Sequence, residues 1–296
     1  MSVIELDHLT KSYGAHRGVE DLSFTVEEGE IFGCIGPIGA GKSTVIRTLL
    51  DLIRPTAGSA RLFGQDTRTA GKKLRADVGY VPSEVVYYED MRVGQLLRYS
   101  AAFYPHRGGK QRIQPLSDYM ELDLRRRLRD LSFADRKKVG IVQSLLHSPR
   151  LLLLDEPAAG LDPLMQQKLF DLIESENKRG VTVFFSSRVL SEVQRLCRRV
   201  AILQEGRLTE LTAVSALRER SCCRVKLHAR GLTRDRLALP GVTGLTVSES
   251  GADFLWQGLP ATLLELLRPL PLVNLWISES TLDEVCFYTS KGGEDK

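Results

Sequence analysis

The chain has 296 residues, of which 43% are hydrophobic and 26% charged, with a formal net charge of +4. That is enough apolar material for a sizeable core in one large domain plus a small one, and so mild a charge gives no case for nucleic acid as a partner. Five cysteines without C-x-x-C or Cys/His spacing exclude a zinc module and make a poor disulfide framework, pointing to a reducing compartment. No signal-peptide pattern opens the sequence, and no run approaches the ~18 to 20 apolar residues a membrane helix needs. If the protein works at a membrane, another chain does the spanning.

In chain order, residues 1 to about 30 alternate apolar and polar, "VIELDHLTKSYG" then "LSFTVEEGE", predicting antiparallel strands with turns at Gly14 and Gly29. "IFGCIGP" reads as a short buried strand, and "KSTVIRTLLDLI" has helical spacing that ends before Arg54-Pro55. "ADVGYVPSE" supplies another strand. From about Met91 to Pro149 the character is helical: "VGQLLRYSAAFY" and "RKKVGIVQSLLHSP" are amphipathic, and the basic run between them, "DLRRRLRDL", reads as a solvated helical face. "LLLLDEP" is too apolar for a half-exposed strand. A helix, "PLMQQKLFDLIESENKRG", stops at Gly180 before the strand "VTVFFSS". Strand and helix alternating in this way predict a parallel sheet with helices on both faces. After "VAILQEGRL", "AVSALRERS" reads as a linker helix. The remainder reads β, α, β, β, α, β, α, a small ferredoxin-like α+β domain. Its last helix is "TLDEVCFY", and "KGGEDK" is a tail.

Two motifs carry chemistry. "GPIGAGKST" (Gly36, Pro37, Ile38, Gly39, Ala40, Gly41, Lys42, Ser43, Thr44) fits G-x-x-x-x-G-K-[ST] between a strand and a helix, the context of a phosphate-binding P-loop. Its glycines let backbone N–H groups curl around phosphates and the helix N-terminus adds partial positive charge. Lys42 is placed to reach the β- and γ-phosphates and Ser43 to ligate Mg²⁺. In "LLLLDEP", Asp155 ends a buried strand where a P-loop enzyme holds Mg²⁺ through water, and Glu156 is beside it, placed to polarise an attacking water. The five histidines are scattered and offer no other metal site.

Over residues 1 to about 220 the chain resembles the ATPase subunit of an ATP-binding cassette (ABC) transporter. The carriers, in order, are Tyr13 in "KSYG", the P-loop, "VGYVPSE", "LSFADRKKVGIVQSLLHSP", "LLLLDEPAAGLDP" and "VFFSSRVLSEVQ". Details are similar to the ABC-2 exporter branch, whose ATPases often carry an added C-terminal domain. The resemblance implies a P-loop α/β domain at 1–220, with an antiparallel β subdomain and a helical subdomain at about 91–149. An α+β domain follows at 221–290 and a tail at 291–296. It implies Tyr13 stacking on adenine, Ser132 touching the γ-phosphate held by a facing subunit, and Asp162 contacting that subunit. It implies ATP and Mg²⁺ as ligands, a second ATPase subunit, and a transmembrane permease subunit. The location it implies is cytoplasmic, peripheral on the inner face of the cell membrane.

Several positions depart from the family pattern. Ile38 replaces Asn in the P-loop, and Ser83 stands where the family has the Gln that senses Mg²⁺ and water. The signature LSGGQ reads Leu131-Ser132-Phe133-Ala134-Asp135, with Ala134 at a position where a positive φ would strain it. Arg188 replaces the switch histidine. Arginine there stabilises transferred charge as an arginine finger does, clamps ATP and slows turnover, or swings out to solvent; these readings stay open. The function expected is ATP binding and hydrolysis coupling dimer closure to a separate permease, in export. A regulatory module that binds ATP with little hydrolysis is the alternative suggested by Ser83, Ala134 and Arg188. A soluble ABC protein working on ribosomes or DNA is a third class, opposed by the single cassette and the lack of a long insertion. Tyr87, Tyr88 and Met91 are read as either packing residues or contacts for a permease helix.

Overall fold

The computed structural model describes residues 1–14, 16–219, 222–229, 234–237, 240–248, 250–258 and 260–279. The described chain divides into two compact units, Met1–Arg188 with Glu192–Thr212, and Val189–Ser191 with the described residues from Ala213 onward.

In the first unit the alternating N-terminal stretch forms β1 (Ser2–Tyr13) and β2 (His16–Glu27), paired antiparallel. β3 (Ile31–Ile35) leads through the glycine-rich loop into α1 (Lys42–Leu49). Then come β4 (Ala57–Leu62), β5 (Gln65–Asp66), α2 (Thr67–Leu74) and β6 (Val78–Val81). The helical stretch holds α3 (Val93–Ala102), α4 (Gly109–Tyr119) and α5 (Phe133–Leu145). β7 (Leu151–Asp155), α6 (Pro163–Lys178), β8 (Thr182–Ser187), α7 (Leu190–Leu196), β9 (Arg199–Gln204) and β10 (Arg207–Ala213) follow.

The first sheet has the order β2-β1-β4-β5 and the second β10-β9-β3-β8-β7-β6. In the second, β3 pairs in parallel with β8 and β9, and β7 with β6 and β8. Every residue of β3, β7 and β8 is buried, as strands covered on both faces require. Phe24 of the first sheet stacks on Phe32 and Phe184 of the second, with centroids 5.3 and 6.4 Å apart, so one aromatic stack joins the two layers. The second unit holds α8 (Val214–Glu219), β11 (Cys222–Ala229), α9 (Arg234–Leu237), β12 (Val242–Ser248), β13 (Gly251–Gln257), α10 (Pro260–Leu267) and β14 (Leu272–Glu279). Its antiparallel sheet runs β12-β13-β11-β14, the split β-α-β order of a ferredoxin-like domain.

Some elements differ from their sequence reading. α1 stops at Leu49 rather than near Arg54, because Asp51 takes a left-handed φ of 53°. The basic run is not a helical face: only Leu128–Asp130 make a short 3-10 turn. Its arginines brace the backbone instead, Arg126 Nη2 donating to Asp130 O at 2.5 Å and Arg127 Nη1 to Asp90 O at 3.3 Å. α4 escapes sequence reading because Pro115 sits inside it and signals a break. The expected helix "TLDEVCFY" and the tail lie outside the described residues.

Candidate active site

β3 ends inside the parallel sheet at Ile35 and α1 begins at Lys42, leaving six residues to turn the chain. The turn is possible only with glycine at two points. A Cβ on Gly36 would stand 2.3 Å from Leu203 O. One on Gly41, at φ 102°, would stand 2.7 Å from Gly18 O. Gly41 caps α1 without any side-chain bond, so the first N–H groups of the helix stay open toward the cleft. Lys42 is 5% exposed, and its Nζ donates to Gly36 O at 2.5 Å and Pro37 O at 2.9 Å. Burial lowers its pKa, opposed chiefly by Glu156, whose Oε1 is 3.6 Å away.

The carboxylates stand at the end of β7. Asp155 is 1% exposed, and its Oδ1 accepts from Ser186 Oγ at 2.7 Å. Its Oδ2 is buried and, among the described residues, has no hydrogen-bond partner. Such an orphaned anionic oxygen marks a place for a ligand that supplies charge. Glu156 holds a left-handed φ of 47°, uncommon for a residue with a side chain. Its N–H is shared between Ser186 O at 3.2 Å and Ser186 Oγ at 3.1 Å, which fixes the strained turn. Arg188 does not swing out to solvent: its Nη2 is 2.8 Å from Glu156 Oε2. Glu156 therefore lies between two cations. Beyond Arg188, Ser187 Oγ donates to Glu192 Oε2 at 2.5 Å. Burial pushes the Glu192 carboxyl up, and Glu156 adds to that.

A cleft of about 400 Å³ brings together Tyr13, the loop from Ile38 to Thr44, Ser83, Glu156 and Arg188. Tyr13, 43% exposed, stands at its rim with Lys11 Nζ 5.1 Å from its ring. Ser132, Ala134 and Asp162 do not line this cleft. Ser132 caps α5 and accepts from Asp135 N at 3.0 Å, while Asp162 caps α6 and accepts from Met165 N at 3.0 Å. Ala134 lies in the first turn of α5 with no positive φ, so the strain expected there does not arise. Phe133, 54% exposed, lays its ring against Gly160, where a Cβ would be 2.6 Å from Phe133 Cδ1. Asp135 is engaged within its own chain by Arg126 at 3.1 Å and Lys138 at 3.4 Å. Two residues escaped sequence reasoning. Ser186, which donates to the Asp155 carboxylate and accepts from the Glu156 backbone N–H, reads in the sequence only as one of two serines at a strand tip. Lys137, 1% exposed, looked like one charge among several in "DRKK", yet its Nζ donates to Pro82 O and Ser83 O.

The family model described as "ABC transporter" matches residues 19–159. An uncharacterized ABC transporter ATP-binding protein of Nostoc sp. is 35% identical over 81% of this chain and 71% of its own length. The Nod factor export ATP-binding protein I of Paraburkholderia xenovorans is 34% identical over 73% of this chain and 72% of its own. Among solved structures, a dimeric ATP-binding cassette in a post-hydrolysis state with ADP and Pi matches with a TM-score of 0.66. It is 22% identical, covering 71% of this chain and 98% of that one. Likeness of this extent to the Nostoc protein, with the glycine loop and Glu156 in one cleft, makes the chain an ATP-binding subunit of the ABC transporter family and an ATPase of that family.

Proposed function

We propose that this chain hydrolyses ATP in a dimer of cassettes and passes the closure of that dimer to a separate permease, in the direction of export, from the inner face of a membrane. The adenine stacks on Tyr13, since an aromatic face suits any purine. The loop from Gly36 to Thr44 takes the phosphates with backbone N–H groups and Lys42. The residues present fit a magnesium ion: among the described residues Asp155 Oδ2 is buried without a hydrogen-bond partner, next in the chain to Glu156, and Ser43 lines the cleft with Glu156. Held by Asp155 and Ser43, Mg²⁺ would supply positive charge against the charge that develops on the phosphates.

In the free chain Lys42 and Arg188 both lean on Glu156. A γ-phosphate carries more charge than a carboxylate and draws both cations to itself. Glu156 is then left to take a proton from water, with Ser83 across the cleft to help hold that water, directly or through a second one. Arg188, forked onto phosphate oxygens, spreads the charge of the transferred group. Ser132, Ala134 and Asp162 lie outside their own chain's cleft, which suits contacts to a facing subunit's nucleotide. Closure is favoured because those contacts exist only in the closed dimer.

The observation that carries the permease reading is a second depression. An apolar groove of about 520 Å³ opens beside the Ser83 loop, with Val86 88%, Tyr88 74% and Phe103 64% exposed. Large exposed apolar patches of this kind mark contact sites. Tyr87 also lines the groove, but its hydroxyl packs against Arg136 O at 3.4 Å; Met91 is not among the lining residues. Export follows the Paraburkholderia relative and the details of the ABC-2 resemblance. Among the described residues no helix is long and apolar enough to cross a membrane. The test is co-expression with a permease encoded beside this gene. Val86→Asp and Tyr88→Asp together should move the chain from the membrane pellet to the supernatant while ATP binding stays intact. Retention in the pellet would remove this groove from the account.

A further inference from the structure

Lys137 lies five residues beyond Ser132, on the same helix α5, and is among the largest side chains of the molecule with almost no exposure. Its ammonium donates to Ser83 O at 2.6 Å and Pro82 O at 3.0 Å and stands 5.7 Å from the Phe133 ring. Among the described residues it makes no ion pair within 4 Å. Asp155, Glu156 and Glu84 act on it only from farther away. A buried cation neutralised by two carbonyl dipoles is an expensive way to fill space, and a methionine would fill the same volume without that cost. The arrangement does one thing an apolar residue cannot: it ties the backbone of the Ser83 loop to the helix that carries Ser132.

We propose that Lys137 is a positioning residue that makes the Ser83 loop and the N-terminal turn of α5 move as one body, so that the two nucleotide sites of the dimer answer each other. The inference rests on the dimer reading above. Ser83 faces the nucleotide of its own chain, and Ser132 faces that of the facing subunit. A loop displaced by one γ-phosphate therefore shifts the group that meets the other. No other charged side chain among the described residues bonds the backbone at positions 82 or 83; farther along the loop, Tyr87 Oη donates to Arg136 O of α5 at a longer 3.4 Å.

The test is hydrogen–deuterium exchange on the full chain, read at residues 36–44, 83–88 and 132–137, for wild type, Lys137→Met and Lys137→Gln. Charged hydrogen bonds to a loop hold it closed strongly enough that Lys137→Met should raise exchange at 83–88 by about tenfold before any nucleotide is added. Lys137→Gln, a shorter neutral donor, should restore part of the protection. On titration with MgATP, wild-type segments 83–88 and 132–137 should gain protection with one midpoint. In Lys137→Met, 36–44 should still gain it while 83–88 does not. In steady-state hydrolysis Lys137→Met should lower kcat about tenfold with KM within about twofold, because binding groups are untouched. The proposal is overturned if exchange at 83–88 is the same in Lys137→Met as in wild type, or if Gln restores nothing. If Lys137→Met does not fold, the wild-type titration decides, and separate midpoints for the two segments overturn the coupling. Absence of MgATP protection at 36–44 would instead strike the nucleotide reading itself, and a basal loop effect in Lys137→Met would still separate the two.

Discussion

Glu156→Gln separates binding from chemistry most sharply, because one carboxylate holds both cations the γ-phosphate needs. The Lys42 pair spans 3.6 Å with side chains 5% and 19% exposed, and the Arg188 pair 2.8 Å with side chains 44% and 19% exposed. At ~4 Å and an effective dielectric near 20, each attraction is about 4 kcal/mol before desolvation. Solvent reaches the Arg188 pair, and exposed pairs measure no more than ~1 kcal/mol net; the buried Lys42 pair loses most of its attraction to desolvation and is taken at about the same net value. Two such pairs, given up when ATP arrives, oppose binding by about 2 kcal/mol, or roughly thirtyfold in affinity. The glutamine keeps the shape and drops the charge. MgATP affinity, followed by displacement of a fluorescent nucleotide, should rise about ten- to thirtyfold. Phosphate release should fall at least ~10²-fold for want of a general base. ADP, lacking the γ-phosphate that competes for Arg188, should gain less than ATP. Unchanged or weaker ATP binding would refute the reasoning, since Glu156 would then not be the group that ATP displaces.

Three further outcomes follow from the same geometry. Arg188→Ala should lower kcat about 10²-fold through loss of a donor to developing charge. It should shift the thermal midpoint by less than ~4 °C, because a pair with one partner 44% exposed contributes little to stability. Gly36→Ala should cost about 3 kcal/mol and abolish nucleotide binding, as its Cβ would stand 2.3 Å from the Leu203 carbonyl; chemical denaturation and nucleotide titration check both. Glu192→Gln tests the buried carboxyl. Its folded pKa is raised, chiefly by burial, so the protonated form is favoured in the fold, and stability is lost as pH climbs through that raised value. The glutamine variant should therefore unfold at higher urea than wild type near neutrality. The gap should close as pH falls below the ordinary carboxylate range of about 4.3, and a constant gap would contradict it.

Much of this molecule can be read along its sequence, for physical reasons. The P-loop and "LLLLDEP" are local: their glycines, buried strand and carboxylates are adjacent in the chain, so spacing alone places them. The parallel core reads easily because strands buried on both faces become unbroken apolar runs. What stays hidden is set by groups far apart in sequence. Lys137 meets Ser83 across 54 residues, and Ser186 meets Asp155 across 31. The basic run misleads because charge density suggests a solvated helix, whereas its arginines satisfy carbonyls at turns. Arg188 could be placed at the strand tip from the sequence, but its turn toward Glu156 depends on that carboxylate standing beside it in the fold.

Steady-state phosphate release by the purified chain across a range of protein concentrations, with Glu156→Gln as the blank, tests the central claim most directly. The account predicts activity above the blank and a specific activity that rises with concentration toward a plateau, as a site completed by a second cassette requires. Specific activity independent of concentration would contradict the composite site, and activity equal to the blank would contradict hydrolysis by this chain alone.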